Sequence, residues 1–178
     1  MKRWLAMLLL ASVCASVLAT TVRPVSIETM AGQATLVAEG TAITSQSLWN
    51  PSHTLIVTYT RFRVSRVLKG AAASEVTIRQ PGGSAGVYRD VVHGVRYLKP
   101  GEEAVLLLKP SGDPDGSMIV VGLMQGMFRI QRETSGAAFV SNGTTGVETT
   151  NQGGATTSFQ GTRIPLSEFE ARVARMAK

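Results

Sequence analysis

Gly82-Gly83-Ser84-Ala85-Gly86 reads G-x-S-x-G, the turn that presents a nucleophilic serine in α/β hydrolases, and Asp90 and His93 follow it in the hydrolase order. The surrounding sequence argues against that chemistry. A nucleophile elbow needs a helix directly after its serine, whereas Val87-Tyr88-Arg89-Asp90 carries no helical stripe. The three candidates also crowd into residues 84–93, and the chain lacks the alternating strand and helix pattern of that fold. A glycine-rich strand-to-loop turn accounts for the motif better. A small secreted hydrolase using Ser84 and His93 is kept as the alternative function, behind a protein without catalysis.

The other reactive residues are similarly dispersed. His53 and His93 are the only histidines, and neither has a second His, Cys or carboxylate at metal-ligand spacing, so both are expected on surface loops with no metal site. Asp113-Pro114-Asp115-Gly116 lacks the third ligand position and the closing Glu of a calcium loop, which leaves a type I turn. Glu102 and Glu103 are adjacent, so on a strand they face opposite ways and cannot share a proton. No cofactor is expected. The remaining candidate is a basic face. Arg61, Arg63 and Arg79 fall on outward positions of two strands expected to pair, with Lys69 at the turn between them. They form the predicted binding stripe, beside an irregular loop over residues 84–97. Its expected partner is an acidic protein or an anionic glycan, although outward arginines also serve as ordinary protection of a sheet face.

The start of the chain bounds where such binding would occur. Lys2 and Arg3 precede an apolar stretch from Trp4 to Leu18 that ends in Val17-Leu18-Ala19, the pattern of a cleaved export signal. The protein is therefore expected to work in the periplasm or outside the cell, with residues 1–19 as the leader and residues 20–178 as one domain. No later segment is apolar and long enough to span a bilayer as a helix. Cys14, the only cysteine, falls inside the leader behind Val13, which does not suit lipid attachment, and its loss leaves no disulfide. Of 18 basic and 12 acidic residues, Lys2 and Arg3 leave with the leader, so the net charge drops from +6 to +4. That is too mild to call for nucleic acid.

The pattern along the chain is that of a β protein. Ser26 can cap one or two helical turns before Gly32. Residues 35–49 form a bent strand with Gly40 as a bulge or close approach, and residues 55–67 form the longest strand after the turn Asn50-Pro51-Ser52-His53. Residues 76–80 alternate cleanly until Pro81-Gly82-Gly83, and residues 104–108 are continuously apolar, as in a central strand covered on both faces. From Met118 to Ile130 every even position is apolar or glycine, which predicts one strand with one buried face. Residues 137–140 suit a short strand and residues 141–162 a mobile loop. Ser167 and Glu170 have capping-box spacing, and Phe169, Val173 and Met176 form the stripe of a C-terminal helix over residues 163–178.

Several phrases recur together: Val-Leu-Lys-Gly at Gly70, Arg79-Gln80-Pro81-Gly82-Gly83, Pro100-Gly101-Glu102 before Leu106-Leu107-Leu108, and Val120-Val121-Gly122-Leu123-Met124-Gln125-Gly126-Met127-Phe128. Their order resembles a family of uncharacterised bacterial exported domains, some of them beside matrixin-type metalloproteases. Such domains are similar in outline to the netrin and tissue-inhibitor-of-metalloprotease modules. The resemblance spans residues 36–130 and implies an OB-like barrel. The tissue inhibitors act through an N-terminal cysteine, which is missing here, so their chemistry does not carry over. The expected protein is mainly β: a small antiparallel OB-like barrel of five or six strands with a C-terminal helix, acting as an exported interaction module.

Overall fold

A computed structural model describes residues 21–143, 148–150, 156–158 and 161–176. The expected leader, residues 1–19, lies outside the described residues. Strand β1 (Thr21–Val22) and helix α1 (Ile27–Gln33) lead into β2 (Leu36–Trp49) and β3 (Ile56–Lys69), two 14-residue strands in one long antiparallel hairpin. Next come β4 (Glu75–Pro81), a small hairpin of β5 (Gly83–Ala85) and β6 (Tyr88–Asp90), then β7 (Glu103–Pro110) and β8 (Met118–Val120). Strands β9 (Met127–Arg132), β10 (Ala138–Ser141), β11 (Glu148–Thr150), β12 (Thr156–Ser158) and β13 (Arg163–Pro165) precede helix α2 (Leu166–Met176).

Strands β7, β2, β3, β4 and β8 neighbour one another in that order, and β8 returns to β7, closing a five-stranded barrel. Strands β9, β10 and β13 extend the sheet outward from β7. The barrel is OB-like as expected, but it is mixed and not wholly antiparallel, because β4 and β8 meet in parallel at Ile78 and Met118. A strand of 14 residues must bend to serve two neighbours. Gly40 supplies the bend: the β2–β3 register shifts between Glu39 and Gly40, and a Cβ there would overlap the Arg63 carbonyl oxygen.

Strand β7 separates two cores. Leu106 and Leu108 point into the barrel with Phe62, Ile78 and Leu98, while Val105 and Leu107 point outward to a second core with Phe128, Phe169 and Val173. Both faces of this strand are therefore buried, which is why its sequence shows no alternation. Helices α1 and α2 cover the outer core. Ser26 Oγ accepts from Thr29 N at 3.1 Å to cap α1, and the Phe128 and Phe169 rings pack at 4.7 Å.

Three expectations fail locally. The strand predicted over residues 118–130 is broken after Val120: Gly122 and Leu123 have positive φ, and Gly126 lies so close to Val121 that a Cβ would stand 2.6 Å from its carbonyl oxygen. Apolar alternation resumed across a tight turn, so it mimicked one strand. Within the expected loop over residues 141–162, β11 pairs antiparallel with β12 and parallel with β1, through main-chain bonds that polar residues can make; the rest of the loop falls partly outside the described residues. Residues 163–165 form β13 against β10, so the helix starts at Leu166 with Ser167 already inside it, and Met176 is exposed.

Candidate functional site

The serine motif is a hairpin. Ser84 on β5 faces Arg89 on β6, Gly83 faces Asp90, and no helix follows. Among the described residues no hydrogen bond joins Ser84, Asp90 and His93. The glycines have packing reasons instead. A Cβ on Gly83 would overlap the Ser47 and Thr58 hydroxyls, while Thr58 Oγ1 donates to Gly82 O at 2.7 Å. Glu102 pairs with Arg129 and Glu103 with Arg132, so the two acids serve different partners. Burial first, and then the charge of Arg96, push the Arg129 guanidinium below its ordinary pKa. Among the described residues no group of three His, Cys, Asp or Glu side chains could hold a metal ion, and no helix is long and apolar enough to cross a membrane.

The three predicted arginines do share a face. The β3–β4 register sets Tyr59 opposite Arg79, Arg61 opposite Thr77 and Arg63 opposite Glu75, all on the outward side. Their charge is largely answered within the chain. Arg61 holds Glu75 through two bonds of 2.8 and 3.1 Å, and Arg79 meets Asp113 at 3.0 Å. Tyr59 donates to Asp115, whose pKa is lowered mainly by bonds from Ser117. Only Arg63 of the three lacks a carboxylate partner among the described residues. Lys69 leaves the stripe altogether and donates to Ala31 O at 2.6 Å, at the C-terminal end of α1. Hairpin β5–β6 packs on the Thr58 side of β3, the inward side, so it does not join the arginines in one surface.

Hairpin β5–β6 instead meets the tip of the long β2–β3 hairpin. Asn50 organises that tip: its Oδ1 accepts from Thr54 N and Leu55 N at 2.8 and 3.0 Å, and its Nδ2 donates to Ser52 and Thr54 hydroxyls. His53 is held at φ 53°, and its ring stacks on Trp49 with centroids 6.0 Å apart. Tyr88 approaches Trp49 edge-on at 5.5 Å. Ser47, Leu48, Trp49, His53, Val87 and Tyr88 line an open groove between the two hairpins. Val87 is 94% exposed, Tyr88 61% and Leu55 57%, where apolar side chains gain nothing from folding. The expected binding loop over residues 84–97 holds Val87 and Tyr88, but the sequence joined it to the arginines and not to Trp49 and the hairpin tip. The signal for this end was large apolar residues at turn positions, Trp49 before Asn50-Pro51 and Val87-Tyr88 after Gly86.

No protein-family model matches the chain, and no curated protein is significantly similar to it.

Proposed function

We propose that this protein is an exported, non-catalytic interaction module that docks a protein partner on the aromatic end of its barrel. The observation that carries the proposal is the concentration of exposed apolar side chains, Leu48, Leu55, Val87 and Tyr88, on the two hairpins that meet at Trp49. Ring-bearing residues fixed on a closed barrel offer contact area at low entropic cost. The positive φ of His53 fits the same role, since a non-glycine residue held there costs about 1–3 kcal/mol and positions a side chain. The arginine face of β3 and β4 is a common ligand surface in OB barrels, but its mostly paired charges favour it less. That no hydrogen bond joins Ser84, Asp90 and His93 among the described residues, and that no helix follows the serine, disfavours a hydrolase. Export rests on the pattern of residues 1–19, and kinship with the protease-associated exported domains rests on the shared phrases alone.

Cross-linking in the periplasmic fraction tests the proposal. The wild type and Ser84→Ala should trap the same partner, and Tyr88→Asp should lose it while staying folded, its stability lowered by no more than about the 0.5–1.5 kcal/mol of the ring contact with Trp49. A partner retained by Tyr88→Asp, or hydrolase activity that Ser84→Ala abolishes, overturns it.

A further inference from the structure

The two halves of strand β2 have different neighbours. Leu36 to Thr41 pair with β7 on one side, whereas from Thr44 to Trp49 the one strand partner among the described residues is β3. On the β7 side the ladder ends at Ala42, whose N–H donates to Glu102 O at 3.0 Å and whose carbonyl accepts from Gly101 N at 2.8 Å. The register to β3 slips between Ala42 and Thr44, a bulge that exchanges the edges the residues face. Past it, Asn50 N donates to Leu55 O at 2.8 Å, so Leu48, Gln46 and Thr44 fall in the bonded pairs with Val57, Tyr59 and Arg61. The other side of β3 agrees: Gly82 N donates to Ile56 O and Val64 N to Ser74 O, which leaves the odd-numbered residues of β3 for β2. Ser45, Ser47 and Trp49 therefore turn their amides and carbonyls away from β3, to an edge that pairs with no strand among the described residues. Strand β5 lies over the face of the sheet and not along this edge, because a Cβ on Gly83 would meet the hydroxyls of Ser47 and Thr58, a cross-strand pair.

Two further observations mark the edge as receptive. Its sequence, Ile43-Thr44-Ser45-Gln46-Ser47-Leu48-Trp49, holds no charge, proline or glycine. Three other strand margins are guarded: β13 is short and carries Arg163 and Pro165, β6 carries Arg89 and Asp90, and β3 beyond its pairing with β4 carries Arg66 and Lys69, with Arg66 held by Glu170 of α2. The unguarded edge also opens on the aromatic groove. Ser47, Leu48 and Trp49 all line it, and since successive side chains leave a strand on opposite faces, a groove touching all three runs along the edge. Val87 and Tyr88 form the facing wall, and the groove holds about 650 Å³, within the roughly 300–1,000 Å³ of ligand sites.

We propose that an extended, uncharged segment of the partner adds to β2 as a new strand along Ser45 to Trp49, with an apolar side chain set among Trp49, Val87 and Tyr88. The proposal rests on docking at the aromatic end and names how the partner is held. Main-chain donors and acceptors that recur along a line are matched by another extended main chain. The segment is uncharged because no lysine, arginine or carboxylate lines the groove to answer a charge.

Amide hydrogen exchange of the full chain, read residue by residue, tests the proposal. In the free protein the Ser45, Ser47 and Trp49 amides should exchange roughly tenfold or more faster than those of Gln46 and Leu48. The peptide Thr-Val-Thr-Val-Thr-Val-Thr at ~1 mM should slow the three odd amides and leave the even ones unchanged, whereas its fully main-chain N-methylated form and Thr-Asp-Thr-Asp-Thr-Asp-Thr should do neither. Ser47→Pro, which deletes an outward N–H, should abolish the slowing at Ser45 and Trp49 and lose the cross-linked partner. Leu48→Lys, at an exposed position, should weaken peptide binding roughly tenfold without touching the Ser47–Thr58 bond. Slow odd amides in the free protein, no slowing by the valine peptide, equal slowing by the N-methylated form, or a dimer of the full chain that Ser47→Pro dissolves overturns the proposal. A partner still trapped by folded Ser47→Pro but lost by Tyr88→Asp also overturns it, and leaves docking at the aromatic end standing.

Discussion

Trp49 and Tyr88 meet edge to face, with ring centroids 5.5 Å apart and planes at 71°. One ends a barrel strand and the other opens the surface strand β6, so the pair ties hairpin β5–β6 to the tip of the long hairpin. A double-mutant cycle with Trp49→Ala and Tyr88→Ala should give a coupling of about 0.5–1.5 kcal/mol in urea unfolding. Strictly additive losses would mean that the two hairpins are not joined through these rings.

Two glycines should respond oppositely to the same change. Gly40→Ala drives a Cβ into the Arg63 carbonyl and to within 2.8 Å of the Phe62 ring, and should cost about 2 kcal/mol or more. Gly32→Ala, in helix α1 with nothing within 4 Å, should gain about 0.5–1 kcal/mol. Denaturant midpoints of the two variants on opposite sides of the wild type are the expected outcome.

Phe128→Ala and Leu106→Ala, one in each core, should each lose about 2–5 kcal/mol of stability. Arg63→Ala, exposed and without a carboxylate partner among the described residues, should change stability by less than about 0.5 kcal/mol. A loss at Arg63 equal to that at Phe128 would contradict the assignment of faces.

Glu28 on α1 receives two bonds from Arg172 on α2, at 2.7 and 3.0 Å, and the pair lowers its pKa from 4.5 to about 2. A carboxyl depressed in the folded state stabilises it above the unfolded pKa, and that contribution fades as pH falls from about 4.5 through about 2. Both side chains are partly exposed, so solvent screening limits the contribution to about 1 kcal/mol or less. Glu28→Gln should lower stability at pH 7 by that amount and flatten the acid limb of the stability curve. An unchanged acid limb would show that the helices are held by their apolar contacts alone.

Legibility tracked how local each cause was. Residues 104–108 could be read as the central strand because burial on both faces demands an unbroken apolar run, and Gly40 as a bend because a missing side chain marks a close approach. The outward placement of Arg61 and Arg63 followed from alternation within one strand. The neutralisation of Arg61 and Arg79 did not, because Glu75 arrives from another strand and Asp113 from a distant turn. The break after Val120 was hidden for a related reason: the side chains of residues 118–130 alternate in sequence, but the turn is set by Gly122 and Leu123 at positive φ.

From the sequence alone came a β-rich chain, an export-type start, a buried central strand and an amphipathic C-terminal helix, since each depends on composition or on a period within one segment. Only the tertiary structure decided which strand closes the barrel, which cations are already paired, and where aromatic rings gather. Those properties depend on contacts between residues far apart in the chain. Pro81 shows the boundary: the sequence marks it as a strand end, but only the fold brings β8 beside β4 to close the barrel through Ile78 and Met118.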